Sequence, residues 1–409
     1  METLLSGSNM EKAYLDNSAT TQVDKEVIQI MTEFMQNDYG NPNSLHQLGR
    51  KAREKIENAR KKIADFLNVL PEEIIFTSGG TESDNIAILG TARASNKKHI
   101  ITSNIEHPAV TNVCEELKLQ GYKIDYVPVD KEGIVNPGSI KKAITPDTLL
   151  VSIMHVNNEI GTIQPIEKIA EICHEKGVLF HTDAVQSFGK IPIDVKETNI
   201  DFVSMSAHKI YGPKGVGALY IKSPDKLSPV FIGGGQERNI RPGTENLAGI
   251  AGFGTAAKLI KEEILLNAER LRKLQFELMK RFSKLTNVII SGPNLDKVKE
   301  NVPHEKFLYR LPGHVSICCK DVEGESLVLQ ADLKGIAISS GSACSSRSTI
   351  DRVSKIKPSH VLQACKTPKD YIKGSLRVTF GKDNSENEAL YIFETVKSII
   401  ESVKRKVAC

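Results

Sequence analysis

The sequence predicts an α/β fold: a large domain on a mainly parallel seven-stranded sheet, followed by a smaller α+β domain. Three observations predict it. From about residue 74 to residue 221, short β-rich runs alternate with helical patterns. The runs are continuously apolar rather than alternating, as strands buried on both faces require. After a long amphipathic stretch the pattern changes to isolated strands among helices, which reads as a second, α+β unit.

The seven runs lie at 74–76, 99–103, 123–128, 149–155, 178–182, 201–204 and 217–221. With helical patterns between them they make the βαβ rhythm of a parallel sheet clad by helices on both faces. The stretch 244–285 carries leucines, alanines and charges at helical spacing, and is expected to be one helix bridging the two domains. Beyond it, strands are expected at 288–291, 314–319 and 376–380. The tail 385–407 reads as a helix that ends basic, as a helix C-terminus favours. The expected domains are therefore 14–265, and 266–409 together with 1–13. The polar, basic stretch 347–357 reads as a loop.

With 409 residues, 40% hydrophobic and 25% charged, the chain has the composition of an ordinary globular protein with a full core. Its 54 basic and 50 acidic residues leave no strong field to recruit nucleic acid or an anionic membrane, and neither partner is expected. The seven cysteines (114, 173, 318, 319, 344, 365 and 409) are scattered, odd in number and without paired ligand spacing. A reducing compartment and no metal are expected. Cys318 and Cys319, adjacent on an expected strand, should point to opposite faces as buried thiols. The first twelve residues lack an apolar core with a cleavage site, and no stretch approaches about 18 apolar residues, so a cytoplasmic location is expected.

In an open parallel sheet, ligands lie beyond the carboxyl ends of the strands. The first run leads into Thr77-Ser78-Gly79-Gly80-Thr81-Glu82-Ser83 and then a helical pattern. That arrangement offers backbone N–H groups and hydroxyls to a phosphate, although the same turn also serves as a plain helix cap. The second run leads to Glu106-His107-Pro108, where His107 is either structural or catalytic. The fourth ends in Asn157-Asn158-Glu159-Ile160-Gly161. The fifth ends in Asp183-Ala184-Val185-Gln186, where Asp183 either caps the next helix or acts on a ligand. The sixth leads into Ser206-Ala207-His208-Lys209.

Lys209 discriminates between these readings. A ligand carrying a phosphate, a pyridinium nitrogen and an aldehyde needs an anion cradle, a carboxylate and an amine, and these strand ends supply all three. Far downstream, Ser339-Ser340-Gly341-Ser342-Ala343-Cys344-Ser345-Ser346 sets a cysteine among small residues where it can move and react but scarcely pack. Cys344 reads as a nucleophile, and the pair points to a pyridoxal phosphate enzyme that handles sulfur.

Six further segments, in order, sharpen this. They are Tyr14-Leu15-Asp16-Asn17-Ser18-Ala19-Thr20-Thr21, Tyr39-Gly40-Asn41-Pro42-Asn43-Ser44-Leu45-His46, Met154-His155-Val156-Asn157-Asn158-Glu159-Ile160-Gly161-Thr162, Gly233-Gly234-Gly235-Gln236-Glu237-Arg238, Arg241-Pro242-Gly243-Thr244-Glu245-Asn246 and Arg377-Val378-Thr379-Phe380-Gly381. Through them nearly the whole chain resembles the cysteine desulfurases of the NifS/IscS family, class V aminotransferase-like members of the fold-type I pyridoxal phosphate-dependent transferases.

The resemblance implies roles at matching positions. Lys209 would bond the cofactor aldehyde covalently, Asp183 would pair with the pyridinium nitrogen, His107 would stack on the ring and move a proton, and Gln186 would hydrogen-bond the ring oxygen. Thr81, Ser206 and His208 would bind the phosphate, with Gly80 also touching the cofactor and Thr244 arriving from the second subunit of a homodimer. Asn157, also placed against the cofactor, would hold the substrate carboxylate with Arg377. L-Cysteine would become L-alanine, its sulfur passing to Cys344 as a persulfide for an acceptor protein in iron–sulfur cluster assembly or in tRNA or cofactor thiolation. Two departures bear on the acceptor. The stretch between Cys344 and Pro358-Ser359-His360-Val361 is longer than in the commonest members, and Pro242 stands where serine is more usual. The competing readings are a selenocysteine lyase, an aminotransferase of the same fold and a non-enzymatic scaffold. The combined presence of Lys209, Asp183, His107 and Cys344 argues against the last.

Overall fold

The computed structural model describes residues 12–298, 309–341 and 358–407; Cys344, the stretch 347–357 and Cys409 lie outside the described residues. The described residues open with a two-residue strand, β1 (Ala13–Tyr14), and two helices, α1 (Lys25–Asn37) and α2 (Gln47–Leu67). Asp24 caps α1 by accepting from Glu26 N. On α2, Ala52, Ile56, Ala59, Ile63 and Leu67 recur at helical spacing and are buried as one stripe.

The alternating region then runs β2 (Ile74–Thr77), α3 (Gly80–Ala94), β3 (His99–Ser103), α4 (Pro108–Leu119), β4 (Lys123–Val127) and α5 (Pro137–Ala143). It continues with β5 (Thr148–Ser152), α6 (Ile166–Glu175), β6 (Leu179–Asp183), α7 (Val195–Thr198), β7 (Phe202–Ser206) and β8 (Gly217–Ile221). These strands form a seven-stranded sheet in the order β2-β8-β7-β6-β5-β3-β4. All pairs are parallel except those of β8, which is antiparallel to both β7 and β2. β2 therefore runs in the same direction as β7, and the carboxyl ends of six strands open on one rim. β3, β5, β7 and β8 are buried along their whole length, which is why their sequences carry no polar alternation.

The long helix α8 (Leu247–Phe282) follows, capped by Asn246, whose side chain accepts from Gly249 N at 3.1 Å. It begins later than the periodicity implies because Asn246 is its cap and Thr244 stands before it on an exposed turn. Ile250, Phe253, Ala257 and Ile260 at its start belong to the core beneath the large sheet. Leu274, Leu278, Met279 and Phe282 at its end belong to a second core. The rest comprises β9 (Val288–Ile290), β10 (His314–Cys319), α9 (Gly324–Asp332), β11 (Ile336–Ala337), α10 (His360–Ala364), α11 (Lys369–Ile372), β12 (Ser375–Thr379) and α12 (Glu386–Val407). β12, β10 and β9 form an antiparallel sheet, and β1 pairs with β11 in parallel. Ala13 and Leu15 thereby join the second core with Ile336 and Val378. On β10, Cys318 faces the first core and Cys319 the second, as the alternation of a strand requires.

Candidate active site

At the carboxyl rim of the large sheet lies a cavity of about 260 Å³. Most of its wall comes from strand ends. The turn after β2 brings Gly80 and Thr81 at the start of α3, and β3 leads to His107 at the start of α4. Met154 and Asn158 follow β5, Asp183 and Gln186 close β6, and Ser206, His208 and Lys209 close β7. From outside the sheet come Ser18, Ala19 and the side chain of Arg377 on β12.

The start of α3 is pressed against the turn after β6. A Cβ on Gly80 would stand 2.4 Å from Val185 Cγ2, so only glycine allows this approach. The close contact sets the N–H groups of a helix end, which favour anions, beside the same turn that carries Asp183 and Gln186. His208 adds an imidazole whose Nδ1 lies 3.2 Å from Thr20 Oγ1. Burial and the nearby Lys209, Lys214 and Lys190 push its pKa down to about 4, leaving it neutral at pH 7.

Lys209 sits on a short 3₁₀ turn after β7, and its Nζ donates to the carbonyls of Ser18 at 2.6 Å and Ala19 at 2.8 Å. Asp183 is buried and accepts from Val185 N at 2.9 Å. Burial raises its pKa, and the charges of His107 and Lys209 oppose the rise. His107 caps α4, its Nδ1 accepting from Ala109 N at 3.2 Å. Burial lowers its pKa against the pull of Asp183. The neutral ring therefore carries its proton on Nε2. Behind it, the buried Glu106 accepts from Ser103 Oγ at 2.5 Å and from Met154 N, and burial pushes its pKa up to about 8. The five described cysteines are buried, and burial pushes their thiols up to about 11 or 12.

Arg377 is buried in β12 with its charge answered: Nη2 donates to Asp16 Oδ1 at 2.8 Å and Nη1 to the Asn158 carbonyl at 2.8 Å. Its buried Nε has no hydrogen-bond partner among the described residues. The Arg377 backbone exchanges two hydrogen bonds with Ser339, so the chain leading toward Cys344 leaves from the strand that carries this arginine. On the other flank, Ser359 Oγ donates to Glu159 Oε2 at 2.5 Å.

Asn157, expected against the cofactor, has its side-chain polar atoms engaged within the protein: its Oδ1 accepts from Glu159 N and Ile160 N, and its Nδ2 donates to Ile105 O. It is fully buried and holds the turn after β5, while its neighbour Asn158 lines the cavity. Thr244 is exposed and borders a separate open groove that meets the cavity only at Thr81. Sequence reasoning did not find Asp84, Lys190 or the carbonyls of Ser18 and Ala19. Asp84 carried a readable signal, being one turn beyond Thr81 on α3 and thus on the same helix face. It is buried, with its pKa raised by burial and by Asp183.

The donor set fits pyridoxal phosphate: amides and hydroxyls for a phosphate, a buried carboxylate for a ring nitrogen and an amine for an aldehyde, in one cavity. No described helix is long and apolar enough to cross a membrane. Residues 13–392 match the aminotransferase class-V family. The chain is 45% identical over 396 residues to the cysteine desulfurase IscS of Dictyoglomus turgidum, covering 96% of this chain and 95% of that one. Among solved structures it matches a NifS-like protein with a TM-score of 0.85 at 37% identity, covering 95% of this chain and 99% of that one. It also matches SspA in complex with cysteine, with a TM-score of 0.73 at 35% identity, covering 90% and 98%. The chain therefore belongs to the aminotransferase class-V family of pyridoxal phosphate enzymes, in its branch of IscS and NifS-like cysteine desulfurases.

Proposed function

We propose that the protein takes sulfur from L-cysteine, releases L-alanine and holds the sulfur on Cys344 as a persulfide for an acceptor protein. The observation that carries this is the convergence of Lys209, Asp183 and His107 on one cavity whose wall, Arg377, is backbone-paired to the segment leading to Cys344. The buried, protonated state of the five described cysteines supports Cys344 as the nucleophile, since the thiolate is the reactive form.

Bound pyridoxal phosphate supplies the electron sink that makes the Cα proton and the Cβ–S bond of cysteine labile. Lys209 takes the Cα proton and can return it, its amine held by two carbonyls on the cavity wall. Asp183 would pair its carboxyl with the ring nitrogen of the bound cofactor. His107 offers the proton on Nε2. Arg377, part of the cavity wall, would meet the substrate carboxylate through its guanidinium, which keeps N–H donors beyond those used on Asp16 and Asn158. The Cys344 thiolate attacks the substrate sulfur: an S–S bond forms, the C–S bond breaks with its electron pair left on carbon, and a proton on that carbon completes alanine. The two sulfurs of the new S–S bond together lose the two electrons that the carbon gains, so no external redox partner enters.

Thr244, exposed on the rim of the neighbouring groove, fits a position completed by a second copy of the chain in a homodimer. The test is to incubate the purified yellow protein with L-cysteine and to follow alanine, sulfide and the mass of the Cys344 peptide. Alanine with one added sulfur on Cys344 is expected. A keto-acid product with unmodified Cys344 would overturn the proposal in favour of transamination, and turnover of selenocysteine alone would move it to a lyase.

A further inference from the structure

The segment after β6 carries a second lysine beside the cavity. Lys190 Nζ donates to Gln186 Oε1 at 3.3 Å, and Gln186 Nε2 donates to the Ser18 carbonyl at 3.0 Å. Ser18 O is also an acceptor of Lys209 Nζ, so the two lysines are joined through one glutamine and one carbonyl. They also line a common small chamber of about 30 Å³, room for about one water molecule.

The chemistry of these partners fixes Gln186 more tightly than a glutamine alone would be fixed. Below about pH 7 Lys190 is mainly an ammonium, which can only donate, and a backbone carbonyl can only accept. Both neighbours therefore select the same carboxamide orientation, oxygen toward Lys190 and NH₂ toward Ser18. One NH₂ hydrogen is used on Ser18, and the second remains for an acceptor in the cavity that Gln186 lines. The groups acting on Lys190 are themselves cationic or neutral. Lys209 and Arg377 repel its charge, and with burial they push its pKa down to about 7. His208 and His314, which feel Lys190 in turn, are both held neutral by burial.

We propose that Lys190 is a positioning residue: it locks the Gln186 carboxamide with an N–H aimed at an anionic oxygen of the bound cofactor and adds positive charge beside Lys209. This rests on the reading of the cavity as the pyridoxal phosphate site. Removing a cation and a fixed donor stabilises the protonated form of the Lys209 linkage to the cofactor, so its titration moves to higher pH.

The experiment is a spectroscopic pH titration of the cofactor band in the holoenzyme, without substrate, for wild type, Lys190→Met and Lys190→Arg. Lys190→Met is expected to raise the pH midpoint by about 1 unit. Lys190→Arg, which keeps the donors and stays cationic where lysine loses its charge, is expected at or below the wild-type midpoint. Should Lys190→Met not fold, Lys190→Gln provides the same neutral comparison. A lower melting temperature with an unmoved midpoint in the neutral variant would mean that Lys190 only packs, and would overturn the proposal. A wild-type protein with no such band would overturn the cofactor reading itself and this inference with it. A moved midpoint in a protein that makes no alanine would leave Lys190 assigned and overturn only the proposed reaction.

Discussion

Adjacent asparagines after β5 have opposite duties. Asn157 closes two hydrogen bonds inside the turn and a third to Ile105 O after β3, whereas Asn158 lines the cavity and lends its carbonyl to Arg377. Asn157→Ala should cost about 2–4 kcal/mol in urea denaturation, because it strands buried backbone donors. Asn158→Ala keeps the carbonyl that meets Arg377 and should leave stability nearly intact, while losing the carboxamide at the cavity wall should lower kcat/KM for cysteine by about tenfold, the worth of one hydrogen bond to substrate. Equal stability losses in both would contradict this division. The sequence could not tell the two apart, since a repeated residue carries no mark of which side chain turns inward. Lys190 was equally illegible, because its meeting with Gln186 depends on how the chain turns after β6. The strand-end residues Lys209, Asp183 and His107 were legible as a group because parallel strands gather their carboxyl ends on one rim.

Glu106 carries a pH signature. Its carboxyl is pushed up to about 8 in the fold against an ordinary value of 4.5, so between these limits the native state holds a proton that the unfolded state has lost. Its contribution is fully present below about pH 4.5 and fades as pH rises toward 8. Relative to wild type, Glu106→Gln should gain stability across that window, by at most about 1.4 kcal/mol per pH unit. Parallel denaturation curves at pH 5 and pH 8 test it, and a constant difference between the two proteins would refute it.

Among the elements, a buried polar tie joins α2, β2 and the turn before α8. Arg60 on α2 meets Glu237 through two hydrogen bonds of 2.8 Å each and also donates to Ile74 O, while Phe76 N donates to Glu237. Both side chains are buried, and the pair holds Glu237, Arg238 and Asn239 at positive φ, a region non-glycine residues rarely occupy. Glu237→Ala would leave a buried guanidinium without its partner, and a loss of about 3–5 kcal/mol is expected from chemical denaturation. A loss under about 1 kcal/mol would show that water replaces the pair. The sequence displayed the major strands because continuous apolar runs between helices admit few other readings. β1 and β11 escaped notice because two residues have no periodicity, and their pairing is created by the fold.

For the whole molecule, α8 carries one end in each core, and Asp16, Arg377, Asp24 and Lys382 bridge the same junction by ion pairs. The two cores should therefore melt together. Phe282→Ala, in the second core, should lower a single calorimetric transition by an amount corresponding to about 3–5 kcal/mol, and two resolved transitions would contradict the coupling. At the same scale the nucleophile and the amine should separate cleanly. Cys344→Ala is expected to keep the yellow cofactor band and make no persulfide, while Lys209→Ala is expected to lose the band and all turnover. Persulfide-dependent transfer at the parent rate in Cys344→Ala would refute its assignment.

The shared direction of the sheet gives the molecule two unlike ends. Reactive groups gather where the strands finish, and the opposite rim, about 16 Å away along a five-residue strand, carries exposed amines such as Lys98 and Lys123 at the starts of β3 and β4. A support coupled through those amines would present the enzyme with its mouth toward the solution, so immobilisation chemistry and catalysis need not compete for the same face.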